Sequence, residues 1–326
     1  MKRTTRRIPS HAGMAIAALA LAFSLSACTT PASTIPAAPA AAVLSQERIA
    51  AIIASPDRGA ADRNNDIRRK PAQMLAFIGI RPGLTALDLS AGGGYSTELV
   101  ARAVGPTGRV YGQSPPARAP DKPNSPVRPP VTPEGDSAQA TQGAATPPAP
   151  TVRRTSAQAL AERAKNPAVA NILSVERPFE DPVPPALAAG GLDLVTLMFN
   201  YHDLGHLGVD RARMNRAVFA GLKSGGLYVI ADHSGRPGTG ISEAGTLHRI
   251  EEAFLRREVE SAGFKLAGEG DFLRNPADPR DKNTPEPAQP KEIRPQVCET
   301  VKLPAPFAST EIIAWRASHR PRVLQA

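Results

Sequence analysis

Four of the six histidines fall between residues 202 and 248, and carboxylates accompany them. Tyr201-His202-Asp203 follows an apolar run that ends at Phe199, Asp232-His233 closes another, and His248 comes next. An imidazole beside a carboxylate suits general-base chemistry, because the ring takes a proton from a substrate while the carboxylate orients it. The same residue types at buried strand ends also act as caps and hydrogen-bond fillers. Both readings stand for His202, Asp203, Asp232, His233 and His248, whereas His206 reads as a loop histidine.

A second group lies in Leu87-Asp88-Leu89-Ser90-Ala91-Gly92-Gly93-Gly94-Tyr95. Three consecutive glycines after a short apolar run allow positive φ and let backbone approach a ligand closely. A helix starting at Tyr95 would aim its free N–H groups at the same place. The plainer alternative is a tight strand-to-helix turn.

Both groups depend on the elements that hold them. Helical spacing of apolar residues predicts helices over 43–54 and 66–78, with Pro71 tolerated in the first turns of the second. Strand signals follow at 84–89 and 109–112, with a helix at 95–104 between them. Further on come a helix at 156–165, strands at 172–175 and 192–199, a helix at 210–222 and a strand at 226–232. A long helix over 243–262, carrying His248 in its first turns, precedes strands at 264–267 and 311–315 that can close as an antiparallel pair. Such alternation predicts an open, mostly parallel α/β sheet covered on both faces. Its ligand crevice would lie beyond the carboxyl ends of the strands, where the order reverses, and the histidine cluster would face it.

Composition limits the rest. A hydrophobic content of 41% excludes a wholly disordered chain, and two cysteines exclude a disulfide scaffold or a cysteine-rich zinc fold. Lys2, Arg3, Arg6 and Arg7 precede the apolar stretch 14–25 and then Leu25-Ser26-Ala27-Cys28. That pattern predicts a signal peptide over 1–27. Its small-residue site before Cys28 resembles the lipobox of bacterial lipoproteins, which implies lipidation of Cys28, stable membrane anchoring and export to the periplasmic face; Thr29 after the cysteine, in place of Asp, resembles enterobacterial lipoproteins of the outer membrane. Removing those four basic residues lowers the formal charge from +9 to +5, so no nucleic-acid partner is expected. A Pro/Ala-rich tether over 28–43 would lead into the folded region 44–316, and 317–326 would be a tail. Residues 115–150 hold 11 of the 34 prolines and few large apolar side chains, which predicts a disordered insertion.

Beyond the glycine turn, Arg81-Pro82-Gly83, Gly105-Pro106-Thr107-Gly108-Arg109-Val110-Tyr111, Leu222-Lys223-Ser224-Gly225-Gly226 and Ala262-Gly263-Phe264 complete a pattern. From about Asp62 to Trp315, insertion aside, it resembles the class I S-adenosylmethionine-dependent methyltransferases, within them a bacterial group bearing export signals. The resemblance implies a doubly wound, Rossmann-like sheet of seven strands. It also implies that Asp88 and Ser90, Ala91, Gly92, Gly93, Gly94 and Tyr95 hold the methionine moiety of S-adenosylmethionine. Glu180 and Asp181 would face the adenine amine, and Asn200 would lie beside the sulfonium. Two departures stand out. Ser90 replaces the first glycine of the pattern D-x-G-x-G-x-G, which it can do if its φ is negative. Gln113 replaces the acid that binds both ribose hydroxyls, offering one acceptor oxygen instead of two. By analogy with the divalent-metal catechol methyltransferases, Asp203, Asp232 and His233 would be the ligands of a metal, although none is expected. Two functions follow: methyl transfer to oxygen or nitrogen of a small-molecule or envelope acceptor, or a lipid-anchored binding module that kept the fold and lost the chemistry.

Overall fold

In the computed structural model, which describes residues 42–116, 154–283 and 309–318, the apolar runs become seven strands of one sheet. They are β1 (Thr85–Leu89), β2 (Arg109–Ser114), β3 (Ile172–Glu176), β4 (Leu192–Met198), β5 (Leu222–His233), β6 (Lys265–Gly270) and β7 (Thr310–Arg316). Their order is β3-β2-β1-β4-β5-β7-β6. The first five strands of that order pair in parallel, and β7 runs antiparallel between β5 and β6. The doubly wound, mostly parallel seven-stranded sheet is therefore the one expected. The chain reverses its direction of winding between β1 and β4, where a ligand crevice forms in such sheets.

Helices cover both faces: α1 (Gln46–Ile53), α2 (Ala60–Arg69), α3 (Pro71–Ile78), α4 (Tyr95–Val104), α5 (Ser156–Arg163), α6 (Asp203–His206), α7 (Arg211–Gly221), α8 (Ala244–Leu247) and α9 (Glu252–Ser261). Leu75, Leu99, Val104 and Leu160 from α3, α4 and α5 pack on one face, and Met214, Val218, Leu255 and Val259 from α7 and α9 pack with Trp315 on the other. Burial on both sides explains why β4 is apolar almost throughout, with only Asp193 and Thr196 polar. The ends are set locally. Thr155 and Gln158 form a capping box that starts α5. Gly79, with φ +64, ends α3 in the left-handed conformation that glycine adopts without strain.

Two helices expected to be continuous are broken. The segment 66–78 divides at Lys70, whose φ of +44 ends α2, and Pro71 opens α3 at a position where its missing N–H costs nothing. Lys70 Nζ donates to the Phe272 carbonyl at 2.5 Å, fixing the break from outside the segment. The segment 243–262 divides at His248, φ +53. There the Ile250 N–H donates to the His233 carbonyl and the Gly235 N–H to the Ile250 carbonyl, a bridge to the end of β5 that a continuous helix would forbid. His248 thus sits at a helix break and not in first turns. The signal segment 1–27, Cys28, nearly all of the tether, Cys298, the tail beyond residue 318 and the insertion beyond residue 116 lie outside the described residues. Among the described residues no helix is long and apolar enough to cross a membrane.

Candidate active site

At the carboxyl ends of β1 and β4 a crevice is lined by Arg69, Asp88, Leu89, Ser90, Ala91, Gly92, Tyr95, Ser96, Met198 and Asn200. The glycine turn therefore stands where the sequence places it. Gly92 and Gly94 take the positive φ that the glycines allow, +53 and +86, and the strain falls on Ser90, with φ +55. The condition that Ser90 keep a negative φ is not met, so a residue with a Cβ occupies a left-handed position that a glycine would fill without cost. Phe199, directly after β4, has φ +60, a genuine outlier for a bulky side chain. Ends of the two central strands that hold such conformations side by side mark the crevice as a built feature.

Asp88 is buried and accepts from Thr97 Oγ1 and Thr196 Oγ1, both at 2.6 Å. Burial pushes its carboxyl from the ordinary 3.8 up to about 6, against those two hydroxyls and the Arg69 charge. Between these values the folded chain keeps a proton that the unfolded chain has released. This group therefore subtracts stability as pH rises from about 4 to about 6. Asp88→Asn is expected to flatten that part of the pH profile, read as the denaturant midpoint measured across the window. A profile unchanged by the substitution would show that Asp88 titrates normally.

Tyr95, at the start of α4, donates its hydroxyl to Asp66 Oδ1 at 2.8 Å, and Arg58 grips Asp66 through two nitrogens. Arg69 stacks its guanidinium over Phe199 and Tyr95, 4.4 and 5.3 Å from the ring centroids. Arg69 was not anticipated as a site residue; it closes α2 just before the break, for which Lys70-Pro71 was the available signal. Arg163 on α5 is a second such residue. It donates through Nε to the Gly93 carbonyl at 2.5 Å and bonds Asp62 at 2.6 Å, also pairing with Glu98.

Three residues expected to hold the nucleoside are engaged elsewhere. Gln113 is wholly buried, its Oε1 accepting the Ser90 N–H at 3.0 Å and its Nε2 donating to the Arg177 carbonyl at 2.6 Å. It braces the loop and does not line the crevice. Asp181 pairs with Arg177, and Glu180 accepts the Asp210 N–H at 3.3 Å, capping the approach to α7. Neither carboxylate belongs to the crevice lining described above.

Next to Asn200 the histidines and carboxylates gather, outside the crevice lining described above. Asp232 accepts the His202 N–H at 2.7 Å, His202 Nδ1 at 2.6 Å and the His233 N–H at 2.8 Å. His202 Nε2 lies 3.3 Å from Asp203 Oδ1, and His248 Nδ1 lies 3.2 Å from the same oxygen. Asn200 Nδ2 donates to the other oxygen of Asp203 at 3.0 Å, and His233 Nδ1 is 3.2 Å from Thr310 Oγ1. Burial alone would discharge His202, but the Asp232 charge and the bonds to Asp203 and Asp232 outweigh it and hold the ring up to about 10. Burial would likewise raise Asp203, yet hydrogen bonds to His202 and His248 keep it well below the carboxylate range. A ring whose two nitrogens both face carboxylates, and which is closed to solvent, is out of reach of a substrate proton, so His202 is not a free general base. Only His248 of these three histidines is substantially exposed, its side chain 43% accessible.

No family model matches the sequence, and no curated protein matches it. Among solved structures, a SAM-dependent methyltransferase from Aquifex aeolicus is 12% identical, over 83% of this chain and 98% of that one, with a TM-score of 0.46. An arsenic(III) S-adenosylmethionine methyltransferase from Chlamydomonas reinhardtii is 16% identical, over 84% of this chain and 74% of that one, with a TM-score of 0.44. Likeness at this level concerns the fold alone.

Proposed function

We propose that the crevice binds S-adenosylmethionine and that the chain transfers its methyl group to oxygen or nitrogen of a small-molecule or envelope acceptor. The observation that carries this reading is the left-handed turn at Ser90 and Gly92, facing Asn200 across the ends of β1 and β4. A backbone bent into left-handed conformations there brings the N–H groups of the α4 start to a ligand without side-chain interference. Arg69 supplies a guanidinium in the same lining, a charge suited to the carboxylate of an amino-acid ligand. Methyl transfer asks chiefly for in-line positioning, so a rigid cradle with an acceptor site beside it is the machinery required. The histidine and carboxylate cluster next to Asn200 is that acceptor side. In this reading the chain works at the periplasmic face of the outer membrane, anchored through lipid at Cys28.

One observation favours the second reading, a binding module without transfer chemistry. Gln113 is committed to Ser90 and Arg177, which leaves the ribose position without the carboxylate of the methyltransferase pattern. Calorimetric titration of the full chain with S-adenosylmethionine and S-adenosylhomocysteine separates the two. Binding of both at micromolar ligand is expected, and failure of both to bind at millimolar ligand overturns the methyltransferase in favour of the binding module.

A further inference from the structure

Asp203 and Asp232 are both buried, and two carboxylates placed so close need positive charge between them. His202 spans the pair, but it is not alone there. His202 Nε2, Asp203 Oδ1 and His248 Nδ1 all lie within 4.8 Å of one another, with separations of 3.3 and 3.2 Å to the shared oxygen. Ligands about 2.0 Å from a tetrahedral metal ion stand roughly 3.3 Å apart, and the two separations to Asp203 Oδ1 match that spacing. A third imidazole, His206 Nε2, lies 3.8 Å from the same oxygen.

We infer that His202 Nε2, Asp203 Oδ1 and His248 Nδ1 form a binding site for a divalent first-row transition metal ion, with zinc the type case. Two nitrogens and one carboxylate oxygen suit zinc or iron(II) better than magnesium or calcium, which prefer all-oxygen shells. Supporting residues are in place. Asp232 Oδ1 holds His202 Nδ1 at 2.6 Å, which turns Nε2 toward the ion, and Asn200 Nδ2 holds Asp203 Oδ2 at 3.0 Å, which leaves Oδ1 to coordinate. His248 reaches the cluster because the break between α8 and α9 puts it in the left-handed conformation, and its exposed ring gives the ion a way in. This set differs from Asp203, Asp232 and His233, the trio suggested by analogy: Asp232 acts one layer out and His233 bonds to Thr310. It also replaces the expectation of a metal-free site.

Three protein ligands leave at least one coordination position open, as in catalytic and not structural zinc sites. The site stands without the methyl-transfer reading, and only its role rests on that reading. There, beside Asn200, the ion would bind an oxygen of the acceptor and lower its pKa, so that the proton can leave to solvent past the exposed His248.

The test uses the full chain purified without a histidine tag and stripped of metal with a chelator. Zinc is titrated by calorimetry, and cobalt(II) by the visible absorption of its ligand-field bands. One zinc per chain with micromolar or tighter affinity is expected, together with cobalt bands of low-coordinate intensity. His248→Asn, chosen because asparagine tolerates a left-handed φ, should weaken zinc at least about a hundredfold and erase the cobalt bands. Asp232→Asn, acting through His202, should weaken zinc by about 10- to 100-fold. A folded wild type that binds zinc no tighter than millimolar overturns the site, as does affinity unaltered in His248→Asn. Titrating the same preparation with S-adenosylhomocysteine keeps the conclusions apart: nucleoside binding without zinc sinks the metal site alone, and zinc without nucleoside sinks the methyltransferase alone.

Discussion

Gly92→Val should abolish binding of S-adenosylhomocysteine and lower stability at the same time. The two losses have one cause. Gly92 lines the crevice with φ +53, and an L-residue pays roughly 1–2 kcal/mol to adopt that conformation, more when branched at Cβ. The branched side chain also projects where the turn would otherwise expose bare backbone to a ligand. Affinity is expected to fall by about a hundredfold or more, since a displaced nucleoside loses the N–H contacts and the shape fit together. Gly92→Asn separates the effects, because asparagine tolerates the left-handed region: it should keep most of the stability while still obstructing the crevice. Calorimetry and thermal melting on both variants provide the readout. Valine at this position with wild-type affinity would mean that no ligand approaches the turn.

What the sequence reveals divides by the distance over which structure is decided. The strand at β1, the glycine turn and α4 are local events: an apolar run, three glycines and an amphipathic stretch suffice, and the helix boundaries Tyr95–Val104 are the ones expected. The apolar runs of β6 and β7 were legible for the same reason, although their antiparallel pairing joins residues more than 40 apart. The breaks at Lys70 and His248 were not. Helical periodicity continues through both: at the first only Lys70-Pro71 signals a stop, and at the second the helix yields to the bond of the Ile250 N–H to the His233 carbonyl, which no local pattern shows. Those breaks matter to function, since Arg69 of the crevice lining directly precedes one and His248, beside Asp203, stands at the other. Gln113 shows a different limit. Its residue type announces a departure from a ribose-binding acid, but only the fold shows the amide spent on Ser90 and on a carbonyl 64 residues downstream. An aspartate there would turn a carboxylate toward that carbonyl and disturb the loop.

Arg163 tests how the crevice is held together. It lies at the end of α5, where the chain returns to the sheet, and touches three parts of the site at once. Its fork takes Asp62 of α2 at 2.6 and 3.0 Å, it pairs with Glu98 of α4, and its Nε reaches the Gly93 carbonyl in the turn. Arg102 extends the network by bonding Glu98 at 2.9 Å and Asp57 at 2.8 Å. Asp62 and Glu98 are buried, 7% and 6% exposed, so neither can recover its lost partner from water. Arg163→Met keeps the apolar length that packs against Gly94 and removes only the charge. Breaking a buried pair in this way costs about 3–5 kcal/mol, because the carboxylates stay behind without compensation. Glu98 keeps Arg102, which places the expected loss near the lower end, about 3 kcal/mol by denaturant unfolding. Nucleoside binding should weaken as well, since the Gly93 carbonyl would lose the donor that fixes the turn. Arg163→Lys discriminates between charge and geometry. An ammonium restores the charge but cannot reach Asp62, Glu98 and Gly93 from one planar group, so its stability should fall between wild type and methionine while binding stays impaired. A methionine variant that unfolds at the wild-type midpoint would show that the turn holds its shape unaided.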